Sequence, residues 1–131
     1  MEADLRALLA GYAPLTSLVS TRIAWNAIGQ GWADPNVVLY KITGAPGYHM
    51  QGADGLESSI VQINVRALTF GGMIQVKNAI IDRLSGFRGS MGDTRFQGIF
   101  KTGERQAFEK VDTASYHTAQ IDFEVHSRAA A

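Results

Sequence analysis

The sequence predicts an α+β domain: a mostly antiparallel sheet of about 4–5 strands carrying an N-terminal helix and one longer helix on one face. Three observations carry that reading. Val61, Ile63, Val65 and Ala67 alternate with Gln62, Asn64 and Arg66, the period-2 mark of a half-buried strand. At Phe70 the period changes. Phe70, Met73, Val76, Ile80 and Leu84 recur at three- and four-residue intervals, so they line one face of a helix over about 70–85. Near the end of the chain His117, Ala119, Ile121, Phe123 and Val125 alternate with Thr118, Gln120, Asp122, Glu124 and His126, a second half-buried strand. The simplest packing lays the helix stripe onto the Val61/Ile63/Val65 face.

A chain of 131 residues is long enough to bury one core, and residues 1–131 read as a single domain. Its 46% hydrophobic and 18% charged residues are ordinary globular composition. Twelve basic residues balance twelve acidic ones, so bulk charge points to no nucleic-acid or membrane partner. The absence of cysteine excludes disulfides, zinc-thiolate sites and thiol nucleophiles. The opening MEADLRALLAGYAPL holds too short an apolar run for a signal peptide or a membrane span. A soluble cytoplasmic protein is expected.

In chain order, residues 2–11 form a short amphipathic helix with Leu5, Leu8 and Leu9 as its stripe, ended by Gly11. Glu2 and Asp4 sit at its positive end. Pro14 opens a second short helical turn, and Arg22 to Asn26 reads as a short strand. A glycine-, aspartate- and proline-bearing loop with Trp32 precedes the β-branched strand Asn36–Thr43. Gly44 to Gly55 has four glycines and one proline in twelve residues and reads as a long mobile loop or a ribbon joining two antiparallel strands. After the helix, Arg88–Asp93 turns the chain. Thr94–Phe108 is a long strand, bent or bulged at Gly103, and a hairpin connection leads to the last strand, Ser115–Ser127. A short flexible tail is expected at 128–131.

No catalytic constellation emerges. His117 and His126 are nine residues apart on one strand, hence on opposite faces, and they do not converge on a metal; His117 reads as a core-edge residue. Asp122 and Glu124 share a face about 7 Å apart. Without a pocket they read as a solvated or lumen-facing stripe rather than an acid–base pair. Gly29-Gln-Gly31 lacks the third glycine of a dinucleotide fingerprint, and no serine sits in a nucleophile elbow. The protein is expected not to be an enzyme and to need no cofactor and no metal. Arg83, Arg88, Arg95, Lys101 and Arg105 give a local basic excess, read either as a solvated face or as a contact with an acidic partner surface or with DNA phosphates. The interleaved Phe96 and Phe100 fall on one strand face, which suits core better than base stacking. Trp25, Trp32, Tyr48 and Met50 lie in or beside loops, as interface residues or as caps of the sheet end.

The order of features resembles the tail-terminator (tail-completion, head–tail joining) proteins of long-tailed phages and phage-like gene transfer agents. The resemblance rests on LRALLA at 5–10, LTSLVSTRIAW at 15–25, PNVVLYKITGAPGYHMQG at 35–52, IVQINVRALT at 60–69, IIDRLSGFRGSMGDTRFQGIF at 80–100 and YHTAQIDFEVHS at 116–127. The L-x-G-F-x-G core is the most telling of these. A departure is Phe70-Gly71-Gly72, more glycine-rich than a helix start of that family. The resemblance implies a structural subunit of a ring, typically a hexamer, at the head-proximal end of a tail tube. Such a ring ends tube polymerisation and joins the tail to the head connector or stopper. Its implied partners are further copies of itself, the tail tube protein and the connector, with DNA only as transiting cargo and no membrane. Its implied location is the host cytoplasm during assembly, then the tail–head junction of a virion or phage-like particle. In this setting Trp32, Tyr48, His49, Met50 and Gln51 are candidates for docking, and Gln120, Asp122 and Glu124 for the lumen. The alternative is a nucleic-acid-binding module using the basic 83–105 stretch.

Overall fold

The two alternating stretches are neighbours in space. The structure is a computed structural model; it describes residues 2–27, 35–49, 52–111 and 114–129, giving the backbone alone for 43–49, 52–56, 111, 114 and 129. The elements run α1 (Glu2–Ala10), α2 (Ala13–Val19), β1 (Ile23–Trp25), β2 (Asn36–His49), β3 (Gly52–Ala67), α3 (Phe70–Leu84), β4 (Gly89–Met91), β5 (Thr94–Val111) and β6 (Ala114–Ala129). One sheet takes the order β1-β2-β3-β6-β5-β4. Every pairing is antiparallel except the short parallel contact of β1 with β2.

The sheet therefore has six strands where 4–5 were expected. The added one is β4, three residues inside a stretch that reads as a turn and too short to show a period. The glycine-rich 44–55 stretch takes the ribbon form. Gly44, Ala45 and Pro46 pair with Ser59, Ser58 and Glu57, and Tyr48 and His49 with Ala53 and Gly52. At the other end of the chain, Arg128 and Ala129 are strand rather than tail, paired with Arg95 and Thr94.

All three helices pack on one face. Leu5, Leu8 and Leu9 of α1, Leu15 and Val19 of α2 and Met73, Val76, Ile80 and Leu84 of α3 are buried against Leu39, Val61, Ile63, Val65, Ile121, Phe123 and Val125. Each such aliphatic side chain contributes about 1.5–3 kcal/mol of transfer free energy. Phe70, the first residue of the predicted stripe, is instead 54% exposed. It stands in the first turn of α3, past the end of the β3–β6 ladder, and meets the edge of the His117 ring at 5.9 Å.

α1 ties the layer together. It lies against β1 and β4, the two edge strands. Arg6 Nε donates to the Ile23 carbonyl at 2.7 Å, and Thr94 Oγ1 donates to Asp4 at 2.6 Å. Arg83 of α3 donates to the Leu8 carbonyl at 3.0 Å and stacks on Tyr12 and Phe87, holding the C-terminal end of α1 where a cation is favoured. A sheet that reaches one helix with both edges must twist or curl to do so.

β5 carries two register shifts, between Phe96 and Gly98 and between Lys101 and Gly103. The second is the bulge expected at Gly103. The first corrects the expectation that Phe96 and Phe100 share a face. The extra residue changes the parity of the strand, so Phe96 is 1% exposed in the core while Phe100 is 52% exposed on the other side. Gly98 is the enabling residue, because a Cβ there would stand 2.8 Å from the Phe100 ring.

Candidate functional site

Strand alternation leaves the face opposite the helices to polar residues. Gln62, Asn64 and Arg66 of β3 stand beside Asp122, Gln120 and Thr118 of β6, all half-buried. At one end of this face the strands curl into a trough of about 400 Å³ lined by Asn36, Val38, Tyr40, Asn64, Arg66, Arg105 and Gln120. Arg66 is held there with its guanidinium 4.4 Å over the Tyr116 ring. Gln62 Nε2 donates to Asn64 Oδ1 at 3.0 Å, so part of the amide row is already ordered.

Along β6 the same face changes sign. Arg66 and Arg105 lie at the trough, Asp122 and Glu124 follow, and Arg128 stands opposite Arg95 at the far end. Glu124 accepts from Ser58 at 3.4 Å and lies 3.1 Å from His126 Nε2. The Phe100 ring stands edge-on to His126 at 5.9 Å. A face with alternating bands of charge over the width of a few residues holds no uniform potential.

A second feature lies at the trough end, on the helix side of the sheet. His117 sits between Phe70 and Phe108, with the Phe108 centroid at 5.1 Å. Phe108 is 59% and nearby Leu68 57% exposed. His117 is thus a core-edge residue capping the sheet end, as its position in the alternation suggested. His126 stands on the opposite face, and among the described residues no cluster of His, Asp and Glu side chains is arranged to hold a metal ion.

Two ion-pair groups fasten the sheet to the helical layer. Glu104 Oε1 takes Lys101 at 2.7 Å and its Oε2 takes Lys77 of α3 at 3.0 Å. The Lys101 hydrogen bond, then that of Lys77, holds the Glu104 carboxyl down at about 2 from an ordinary 4.5. Lys41 donates to Glu57 at 2.6 Å and approaches Glu2 at 3.7 Å. That hydrogen bond pulls the Glu57 carboxyl down and pushes the Lys41 ammonium up.

The structure brings Gln120, Asp122 and Glu124 together on the helix-free face. Tyr48 and His49 lie at the end of the β2–β3 ribbon; Trp32, Met50 and Gln51 fall outside the described residues. The basic 83–105 stretch forms no single surface. Arg83 is engaged with α1, Lys101 with Glu104, and Arg105 opens into the trough. The alternation puts Arg66 on the polar strand face, but nothing in the sequence points to Tyr116 as its partner. Their stack joins residues on β3 and β6, and only the strand register reveals it.

No protein-family model matches the chain, and no curated protein matches it in sequence. Among solved structures the chain is similar to one described as "Virion of native gene transfer agent (GTA) particle". The TM-score is 0.76 at 21% identity, and the match covers 98% of this chain and 94% of that one. That likeness shows the fold.

Proposed function

We propose that the protein is a structural subunit of a phage-like particle, acting as a tail terminator. In this reading several copies, six in the arrangement the sequence resembles, close a ring on the head-proximal end of a tail tube. The ring ends tube growth, meets the head connector and lets DNA pass through its lumen. The protein performs no catalysis in this role.

The observation that carries the proposal is the near end-to-end likeness to a chain of a gene transfer agent virion. The helix-free face supports it. That face is concave at the trough and mostly polar, with Ile60 and Phe100 as its exposed apolar residues, and its charges alternate, which suits a lumen wall along which DNA slides. Gln120, Asp122 and Glu124 would then look into the lumen, and the β2–β3 ribbon with Tyr48 and His49 would reach toward a partner.

The test is the solution mass by light scattering, with negative-stain images of the same fractions, alone and with purified tail tubes. A ring with a central pore, or tubes capped at one end, is the expected result. A protein that stays monomeric and leaves tube ends bare would overturn the proposal.

A further inference from the structure

The two long edges of the sheet are each covered over only part of their length. On β2, β1 pairs with Val37–Leu39, and Asn26 N donates to the Leu39 carbonyl at 2.9 Å. On β5, β4 pairs with Thr94–Phe96, and Gly86 N donates to the Ile99 carbonyl at 2.8 Å. Beyond these, among the described residues, no strand covers the outer side of β2 from Lys41 to His49 or of β5 from Lys101 to Val111. Lys41, Val61, Phe123 and Lys101 form one row across the four long strands. Both open edges therefore start at the same level and run from it in opposite directions.

Open edges of this length are templates for pairing with another chain. We infer that the open edge of β5 (101–111) pairs with the open edge of β2 (41–49) of a second copy, joining neighbouring subunits through backbone hydrogen bonds. The inference rests on the ring reading and supplies its joint. Direction agrees: β2, β3, β6 and β5 alternate in sense, so β2 of a copy placed in the same orientation meets β5 antiparallel and the sheet continues without a break. A joint between two different edges is heterologous, the kind that closes into rings.

The half-covered edges also set an offset. Copies held level would touch only near the Lys41–Lys101 row, so each must slide along the strands to gain contact. Four strands about 4.8 Å apart span about 19 Å, and a strand tilt of about 35–45° converts that width into a slide of about four to six residues. Such a slide brings Ile42 of the next copy near Gln106–Phe108. Ile42 is 53% and Phe108 59% exposed, and the joint would cover both. From Ile42 to His49 the β2 edge carries no Lys, Arg, Asp or Glu, so the mixed charges of β5 meet no like charge there. Pro46 lies within this edge and cannot donate, which places the strongest pairing at 41–45.

The chain has no cysteine, so disulfide trapping reports the joint directly. Ile42→Cys is combined in turn with Thr102→Cys, Gln106→Cys and Phe108→Cys. Mass is read by light scattering under reductant, fold by circular dichroism, and cross-linking on non-reducing gels after mild oxidation. At least one combination should give a ladder of covalent multimers at tenfold or greater yield over either single variant. Ring-sized mass under reductant with no ladder from any combination overturns the edge joint and leaves the ring standing. Monomer mass at every concentration and on tail tubes, again with no ladder, overturns both.

Discussion

Glu104 shows how one carboxylate held by two lysines sets the acid limit of this fold's stability. Its two lysine partners come from different elements, Lys77 from α3 and Lys101 from its own strand. Its carboxyl, held near 2 against 4.5, favours the folded state at every pH above the unfolded value. That contribution drains away as pH falls from 4.5 toward about 2. Lys101 is 35% exposed on its side chain, so the net value belongs with surface pairs, about 0.5–1 kcal/mol. Glu104→Gln should therefore lower Tm at pH 7, and the gap to the natural chain should close across that acid window. Comparing the two proteins isolates Glu104 from Glu57, whose carboxyl is also held down. A gap of constant size from pH 7 to pH 2 would show that packing, not charge, sets the difference. The residue scale is also where sequence reading failed most instructively. Met73, Val76, Ile80 and Leu84 are buried as their spacing foretold, because each faces a sheet of fixed period. Phe100 escaped because one bulge inverts a period of two, and no spacing rule sees a bulge that glycine permits but does not demand.

The start of α3 explains the unusual Phe70-Gly71-Gly72 run at the level of the element. Thr69 is the N-cap, and its hydroxyl accepts from Gly72 N at 3.0 Å. A Cβ on Gly72 would stand 2.9 Å from that same oxygen, so the cap and the glycine belong together. Gly71 meets nothing within 4 Å and only adds freedom to the unfolded chain. The two glycines should thus respond in opposite senses to the same change. Gly71→Ala should stabilise by about 0.4–1 kcal/mol. Gly72→Ala should destabilise by about 1 kcal/mol, near the value of a lost cap. Urea midpoints of the two variants check this, and equal shifts of one sign would refute the close-approach argument. The β2–β3 ribbon was half legible for a related reason. Glycine weakens any local strand signal, while the pairing that makes 44–46 strand comes from Glu57–Ser59 across the ribbon. The sequence there permits a ribbon or a loop, and long-range partners decide.

At the scale of the whole molecule, the question is whether the charge distribution captures DNA or leaves it free. Twelve positive and twelve negative side chains sum to zero, so any affinity for phosphates depends on how the cations are distributed. If the 83–105 cations formed one surface, its four or five phosphate contacts would give log K against log salt a slope of about −4. The fold disperses them instead, engaging Arg83 with α1 and Lys101 with Glu104. Arg105 lines the trough beside Arg66, which is stacked on Tyr116, and Asp122 and Glu124 lie farther along the same face. Cations split between the trough and the Arg95/Arg128 end offer about two phosphate contacts at a time, which predicts a slope no steeper than about −2 and retention lost near physiological salt. Fluorescence anisotropy of labelled duplex DNA over a salt series measures the slope directly. A slope of about −4 that Arg88→Gln and Arg95→Gln flatten would assign the protein to DNA capture. A slope near −2 that Arg66→Gln and Arg105→Gln abolish would place the only phosphate contacts at the trough. The acidic band beyond it would then keep DNA moving rather than held, as a wall beside a passing duplex must.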